Sequence, residues 1–205
     1  GVNDDINKQV NNGTLIVNYT GHGGELGLAH EKVVQISDIL SWNNTDKMPV
    51  FVTATCEFSR FDNPGLTSAG ELVLMNSNGG GIALYTTTRL AFASSNLLLN
   101  KRLYDTLFRA YPERHPRLGD LMMFSKTPSN TNIRNFVLLG NPALKLALPG
   151  YKVVTDSVNG VPAGQFSDTL NANGTLTITG HITSYQNEDE LINDFNGTVY
   201  PVLYD

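Results

Sequence analysis

Apolar and polar residues alternate along this chain in two different textures. Through the first three quarters, compact apolar runs alternate with segments of helical spacing. Thr14–Tyr19, Val50–Thr55 and Ile82–Thr87 are short runs rich in β-branched and aromatic residues, the pattern of strands. Val50–Thr55 shows little alternation, as expected for a parallel sheet covered on both faces, and Thr14–Tyr19 also reads as buried. Residues 3–11 read as the end of a polar helix that stops near Gly13. Val33–Trp42 has the spacing of a short helix ended by Asn43-Asn44. Thr67–Met75 is predicted helical, with a capping box from Ser68 to Glu71, and Gly79-Gly80-Gly81 then breaks the chain. Ser94–Ala110 carries Leu99, Leu103 and Leu107 along one face of a long helix. Arg117–Lys126 and Thr131–Leu138 are predicted as two further helices, and Leu139–Ala143 closes the unit. Strands alternating with helices predict an α/β domain with a mainly parallel sheet. Only three strands are legible, so the sheet is expected to be partial.

After Pro149 the texture changes. Tyr151–Val154, Thr175–Thr183 and Thr198–Leu203 alternate polar and apolar residues between Gly, Asn and Asp, and no helical spacing appears. This predicts an all-β sandwich module, truncated, because its four or five strands fall short of the roughly seven of the smallest immunoglobulin-like sandwich. The expected division is 1–149 for the α/β part and 150–205 for the β module.

Composition narrows the function. The formal net charge is −5 and the basic residues are scattered, which argues against a nucleic-acid partner. The single cysteine, Cys56, excludes an internal disulfide and a thiolate zinc site. No apolar run reaches the length of a membrane span, and no signal peptide is visible in a chain that opens at Gly1. Sequons occur at Asn12, Asn18, Asn43, Asn173 and Asn196, a pattern that arises often by chance. No phosphate loop or metal-ligand spacing is found, so no cofactor is expected; calcium stays open as an alternative, with no calcium-type acidic loop to support it.

The candidate chemistry sits at two strand endings. Gly21-His22-Gly23-Gly24 follows the first strand and Cys56 ends the second. In an open parallel sheet both fall at the carboxyl edge, where such folds bind ligands. Cysteine is an intrinsically strong nucleophile, and a neighbouring imidazole lowers its pKa. His22 is the candidate base, and the backbone N–H groups of Gly23 and Cys56 are candidate oxyanion donors. A lone cysteine is most often a small buried hydrophobe, and glycine beside histidine is common in turns. Burial alone does not explain both residues ending neighbouring apolar strands. Glu57, Arg60 and Asp62 either orient substrate or pair with one another to hold their loop. Thr87, Thr88 and Arg89 end the third strand on the same edge and are candidate substrate-binding residues, with Arg89 suited to a carboxylate. Glu25 and Glu31 follow His22 and read best as surface charge. His30 and His115 read as loop residues, His181 as part of the β module, and Trp42 as core.

These residues carry a resemblance. Gly21-His22-Gly23 and then Ala54-Thr55-Cys56 resemble the gingipain-type cysteine peptidases of the caspase-like clan, with a His–Cys dyad in that order. Asn18–Glu25, Thr53–Asp62, Thr86–Arg89, Leu138–Ala143 and Asn196–Tyr200 are similar to the sortase subfamily of the Bacteroidetes type IX secretion system. The resemblance implies a doubly wound, mainly parallel caspase-like sheet followed by an immunoglobulin-like module. It implies Cys56 as nucleophile, His22 as base and Gly23 as oxyanion donor. It also implies a surface-exposed signal peptidase that removes C-terminal sorting domains from secreted proteins through a thioacyl-enzyme. Its expected partners are those cargo proteins, other secretion components and lipopolysaccharide as acyl acceptor. Gingipains place an acidic partner of the histidine upstream of it. This chain is therefore expected to hold the second half of a catalytic domain, inactive alone, with a sheet edge open to pairing between copies. The competing reading is a non-catalytic surface or adhesion protein on the same scaffold.

Overall fold

The computed structural model describes residues 1–110, 115–126, 132–167, 169, 174–185, 187 and 189–200. Two compact units divide the chain, Gly1–Ala147 and Leu148–Asp205.

The first unit is built on a four-stranded sheet. Its strands are β1 (Ile16–Thr20), β5 (Val50–Ala54), β6 (Ala83–Thr87) and β7 (Phe136–Gly140), in that spatial order. β1, β5 and β6 run parallel, with Ile16 beside Val50 and Val50 beside Ala83. β7 closes the far edge antiparallel to β6, pairing Ala83 with Gly140. The continuous apolar runs are explained by burial: every residue of β5 and β6 is buried. β1 departs from its expected burial. It is an edge strand among the described residues, and Asn18 on it is exposed while Val17 and Tyr19 pack on the core. An edge strand has a neighbour on one side only, so less of it is covered.

A second difference concerns Thr131–Leu138. Thr131 lies outside the described residues. Ile133–Asn135 is a single 3-10 turn and Phe136–Gly140 is β7, not a helix. The apolar spacing of a run this short fits either state. Pairing with the free edge of β6 decides for the strand.

Helices cover both faces. α1 (Val2–Asn12) ends at Gly13, whose φ of 97° is in the left-handed region. α2 (Ile36–Ser41) docks on α1 through polar contacts: Asn3 and Asn7 donate to the Asp38 carboxylate at 3.0 and 3.2 Å. Trp42 is a core residue, stacked on Phe51 at 5.5 Å, with its indole N–H donating to Asn7. α3 (Ala69–Met75) has the predicted capping box: Ser68 accepts from the Glu71 N–H, and Glu71 accepts from the Ser68 N–H. α4 (Ala93–Asp105) continues as a π turn over Thr106–Ala110 and buries Leu99, Leu103 and Leu107 as its spacing predicts. α5 (Leu118–Ser125) is fixed to the sheet where the Tyr85 hydroxyl donates to the Leu118 carbonyl. Three two-residue strands, β2 (Gly23–Gly24), β3 (Gly27–Leu28) and β4 (Val34–Gln35), form a small antiparallel sheet after β1.

The second unit holds an antiparallel sheet. β8 (Tyr151–Val158) lies between β9 (Val161–Pro162) and β10 (Ile178–Ser184). Two predicted strands lie within β8 and overlap β10. Thr198–Tyr200 is not a strand, and residues 201–205 lie outside the described residues.

Candidate active site

The site grows from the carboxyl ends of β1 and β5. The Gly21 N–H donates to the Ala54 carbonyl at 3.4 Å, extending the parallel ladder one step beyond β1. His22 follows that link on one strand and Cys56 on the other. Both candidate residues therefore leave adjacent strands at the same edge, His22 exposed and Cys56 half-buried.

On the histidine side, the backbone is held at two points. The His22 carbonyl accepts from the Tyr19 hydroxyl at 2.6 Å and from the Ala29 N–H at 2.8 Å. Burial, then the Glu31 charge, raises the Tyr19 pKa, which keeps that hydroxyl a donor. Gly23 begins β2 against the buried side chain of Thr55. A Cβ on Gly23 would stand 2.6 Å from Thr55 Oγ1, so only glycine fits here without movement. His30, read from sequence as a solvated loop residue, is exposed but places its ring 5.7 Å from that of His22, tilted by 47°. Seven intervening residues hid that pairing. The β2–β3 hairpin makes it.

On the cysteine side, the sulfur meets the loop after β6. The Ala91 N–H donates to Cys56 Sγ at 3.5 Å, and Sγ lies 3.6 Å from the Ala91 carbonyl, which accepts from the thiol. Among the described residues no hydrogen bond joins His22 and Cys56. Unliganded catalytic pairs are often loose in this way. The Cys56 N–H has no hydrogen-bond partner among the described residues, as an oxyanion donor requires. The next residue, Glu57, has a φ of +50°, an uncommon conformation for a side-chain-bearing residue, and its N–H donates to the Arg89 carbonyl at 3.3 Å.

The acidic and basic candidates are used within the chain. Arg60 donates to Glu57 at 3.2 Å and approaches Glu25 at 3.9 Å, and Asn63 donates to Glu25 at 2.8 Å. The Glu25 carbonyl also accepts from the Ala69 N–H at 2.7 Å, and the Phe58 carbonyl from the Gly70 N–H at 2.8 Å. The N-terminus of α3 thus clamps the histidine loop and the cysteine loop together. Gly70 permits this approach, since a Cβ there would stand 1.8 Å from Ser59 Oγ. Glu25, read from sequence as surface charge, is instead part of that clamp.

Arg89 meets a carboxylate, but one of its own chain. Its two terminal nitrogens donate to the two Asp62 oxygens at 2.9 and 2.5 Å. Hydrogen bonding from Arg89 holds the exposed Asp62 carboxyl below its ordinary range. Thr87 is fully buried and its hydroxyl donates to the Thr55 carbonyl, so it ties β6 to β5 and does not open to the site. Thr88, half-buried, donates to the Asn135 carbonyl at 3.3 Å. His181 pairs with Asp156 at 2.9 Å within the second unit, and His115 is half-buried beside Pro116. No group of three or more His, Cys, Asp or Glu able to hold a metal occurs among the described residues. No described helix is long and apolar enough to cross a membrane.

Comparison with known proteins agrees with this architecture. The family model described as peptidase family C25 matches residues 1–147. No curated protein matches the chain. The crystal structure of the Arg-specific cysteine proteinase gingipain R (RgpB) is similar, with a TM-score of 0.61 and 17% identity over 74% of this chain and 38% of that one. The complex of the Porphyromonas gingivalis RgpB pro- and mature domains gives 0.59 and 17%, over 75% of this chain and 40% of that one. A further structure, named only as a protease, gives 0.58 and 15%, over 86% of this chain and 53% of that one. The chain thus spans well under two thirds of each of these relatives.

Proposed function

This chain belongs to peptidase family C25, and from that premise we propose that it carries the nucleophile and base of a cysteine endopeptidase. The observation that carries the reading is the shared edge: the ladder of β1 and β5 ends at the Gly21–Ala54 bond, and His22 and Cys56 both emerge there. In the proposed reaction His22 takes the Cys56 proton and the sulfur attacks the scissile carbonyl carbon. The Cys56 N–H, together with that of Gly23, receives the developing oxyanion. Collapse breaks the C–N bond, the amine leaves with the proton returned by His22, and a thioacyl-enzyme remains. Water then gives hydrolysis, and an amine acceptor gives ligation.

The finer reading is a C-terminal signal peptidase of secreted cargo, working at the outer face of the cell with lipopolysaccharide as acyl acceptor and no cofactor. It rests on the resemblance of Asn18–Glu25 and Thr53–Asp62 to the type IX sortases. The antiparallel sheet of the second unit suits the immunoglobulin-like module that reading includes.

The test targets the Cys56 thiol, followed at its own position. In the native full-length polypeptide at pH 6–7, iodoacetamide alkylates Cys56 faster than a free thiol, and His22→Ala removes the excess rate. Cys56→Ala abolishes removal of the sorting domain from a cargo protein. Ordinary labelling of Cys56, or unchanged processing by Cys56→Ala, refutes the reading.

A further inference from the structure

We propose that Asn96 and Asn100, one turn apart on α4, are positioning residues for the catalytic pair. Asn96 holds the end of the cysteine strand, Asn100 holds the end of the histidine strand, and the helix between them sets the distance from His22 to Cys56. The inference rests on the peptidase reading and adds to it the part of the scaffold that keeps the base within reach of the nucleophile.

The first observation is what the two side chains bond to. The Asn96 amide donates to the Ala54 carbonyl at 3.2 Å. The Asn100 amide donates to Asn18 Oδ1 at 3.2 Å and to Thr20 Oγ1 at 3.1 Å. Ala54 is the last residue of β5 and Thr20 the last of β1, and the two are register partners. Cys56 lies two residues beyond Ala54, and His22 two residues beyond Thr20. α4 therefore grips both members of the last rung before the catalytic pair.

The second is spacing. Residues four apart lie on one face of a helix, about 6 Å along its axis. Neighbouring strands are about 4.8 Å apart. Asn96 and Asn100 are thus spaced to reach two adjacent strands from one rigid element. The start of the same helix is tied to the nucleophile: the Ala91 N–H donates to the Cys56 sulfur at 3.5 Å, and the Asn96 N–H donates to the Phe92 carbonyl at 3.0 Å. The rung itself is weakly closed. The Gly21 N–H reaches the Ala54 carbonyl only at 3.4 Å, and β1 has a strand neighbour on one side only among the described residues.

The third is composition against burial. The buried face of α4 carries Leu99 and Leu103, and Asn96 and Asn100 share it at 4% and 8% exposure. A buried amide is costly unless it is bonded, and when bonded it adds little net stability over an apolar side chain of similar size. Leucine at both positions would complete the apolar stripe. What asparagine adds is direction, because a hydrogen bond fixes the length and angle of approach that apolar contact leaves free. A shift of about 1 Å between catalytic groups costs about a hundredfold in rate, so control of this distance reaches the chemistry.

The experiment measures iodoacetamide alkylation of Cys56 at pH 6–7 in the native full-length polypeptide, with the urea midpoint recorded for every variant. Asn100→Leu is expected to lower the excess over a free thiol about tenfold, a partial loss of the thiolate that a nearby imidazole sustains. Asn96→Leu is expected to do the same. The distinguishing readout is dependence on His22. In a His22→Ala background neither substitution lowers the rate further, because each acts only through the distance between the pair. Asn18→Val/Thr20→Val removes both acceptors on β1 at exposed positions with strand-favouring side chains, and carries the test should a leucine variant fail to fold. Its expected loss is also about tenfold. An unchanged rate in any folded variant of the three overturns the proposal, and so does a loss that persists undiminished in the His22→Ala background. If the unaltered protein shows enhanced alkylation in those cases, only the positioning role is wrong. If the unaltered protein shows no enhancement, the peptidase reading falls and takes this proposal with it.

Discussion

Gly23→Ala tests how closely the two halves of the site are fitted. The added methyl would stand 2.6 Å from Thr55 Oγ1, 3.1 Å from Thr55 Cγ2 and 3.2 Å from the Gly27 carbonyl. A carbon needs roughly 3.5 Å to a non-bonded neighbour, so something must yield by about 1 Å. Thr55 is fully buried between sheet and hairpin and has little room to turn. The hairpin that carries His22 must move instead. Overpacking of this kind costs about 1–3 kcal/mol. A misplacement near 1 Å in a catalytic group costs about a hundredfold in rate. Turnover is therefore expected to fall by far more than global stability. Thr55→Ala supplies the control. Its hydroxyl has no hydrogen-bond partner among the described residues, so removing it sacrifices no bond while clearing both colliding atoms. Urea unfolding, the alkylation rate of Cys56 and kcat/KM are measured for both single variants and the double variant. The double variant is expected to regain most of the lost rate, with a coupling of about 1–2 kcal/mol. A Gly23→Ala protein with normal turnover, or one that Thr55→Ala does not rescue, would refute the reasoning.

Other consequences can be checked separately. Glu25→Ala removes the partner of Asn63 and Arg60 in a half-exposed clamp. It should cost under about 1 kcal/mol of stability yet lower kcat/KM several-fold, and equal small effects on both would argue against a positioning role. Tyr85→Phe removes the side-chain donor to the buried Leu118 carbonyl, which keeps its helical bond in α5, and should cost about 0.5–1.5 kcal/mol in urea unfolding; an unchanged midpoint counts against that bond. The Asp62 carboxyl is depressed by Arg89, so the pair contributes above the unfolded carboxylate value of about 3.9 and is lost as pH falls through the lower folded value. A carboxyl NMR titration of Asp62 should show a midpoint below the ordinary range that returns toward it in Arg89→Ala, whereas an ordinary midpoint in the unaltered protein would contradict the pairing.

Legibility followed locality. The runs at β5 and β6 are recognisable because strands buried on both faces need apolar residues at every position. The capping box at Ser68 and Glu71 is recognisable because it is completed within four residues. The run around β7 predicts a helix because Ile133, Phe136 and Val137 satisfy helical spacing as well as a strand, and only the open edge of β6 discriminates. Arg89 illustrates the same limit: its suitability for a carboxylate could be read from its type, whereas the choice of Asp62, twenty-seven positions away, could not.

The sequence by itself determined where the chemistry begins: a histidine and the only cysteine, each closing an apolar run that had to be a strand. Hydrophobic pattern and turn residues act over a few positions, so they specify such endings without reference to the rest of the chain. Tertiary structure decided what surrounds them. It put Gly23 against Thr55, His30 beside His22, Ala91 on the sulfur, and α3 across both loops. These contacts join residues far apart in the chain, and their geometry follows from strand order and register, which no local pattern encodes.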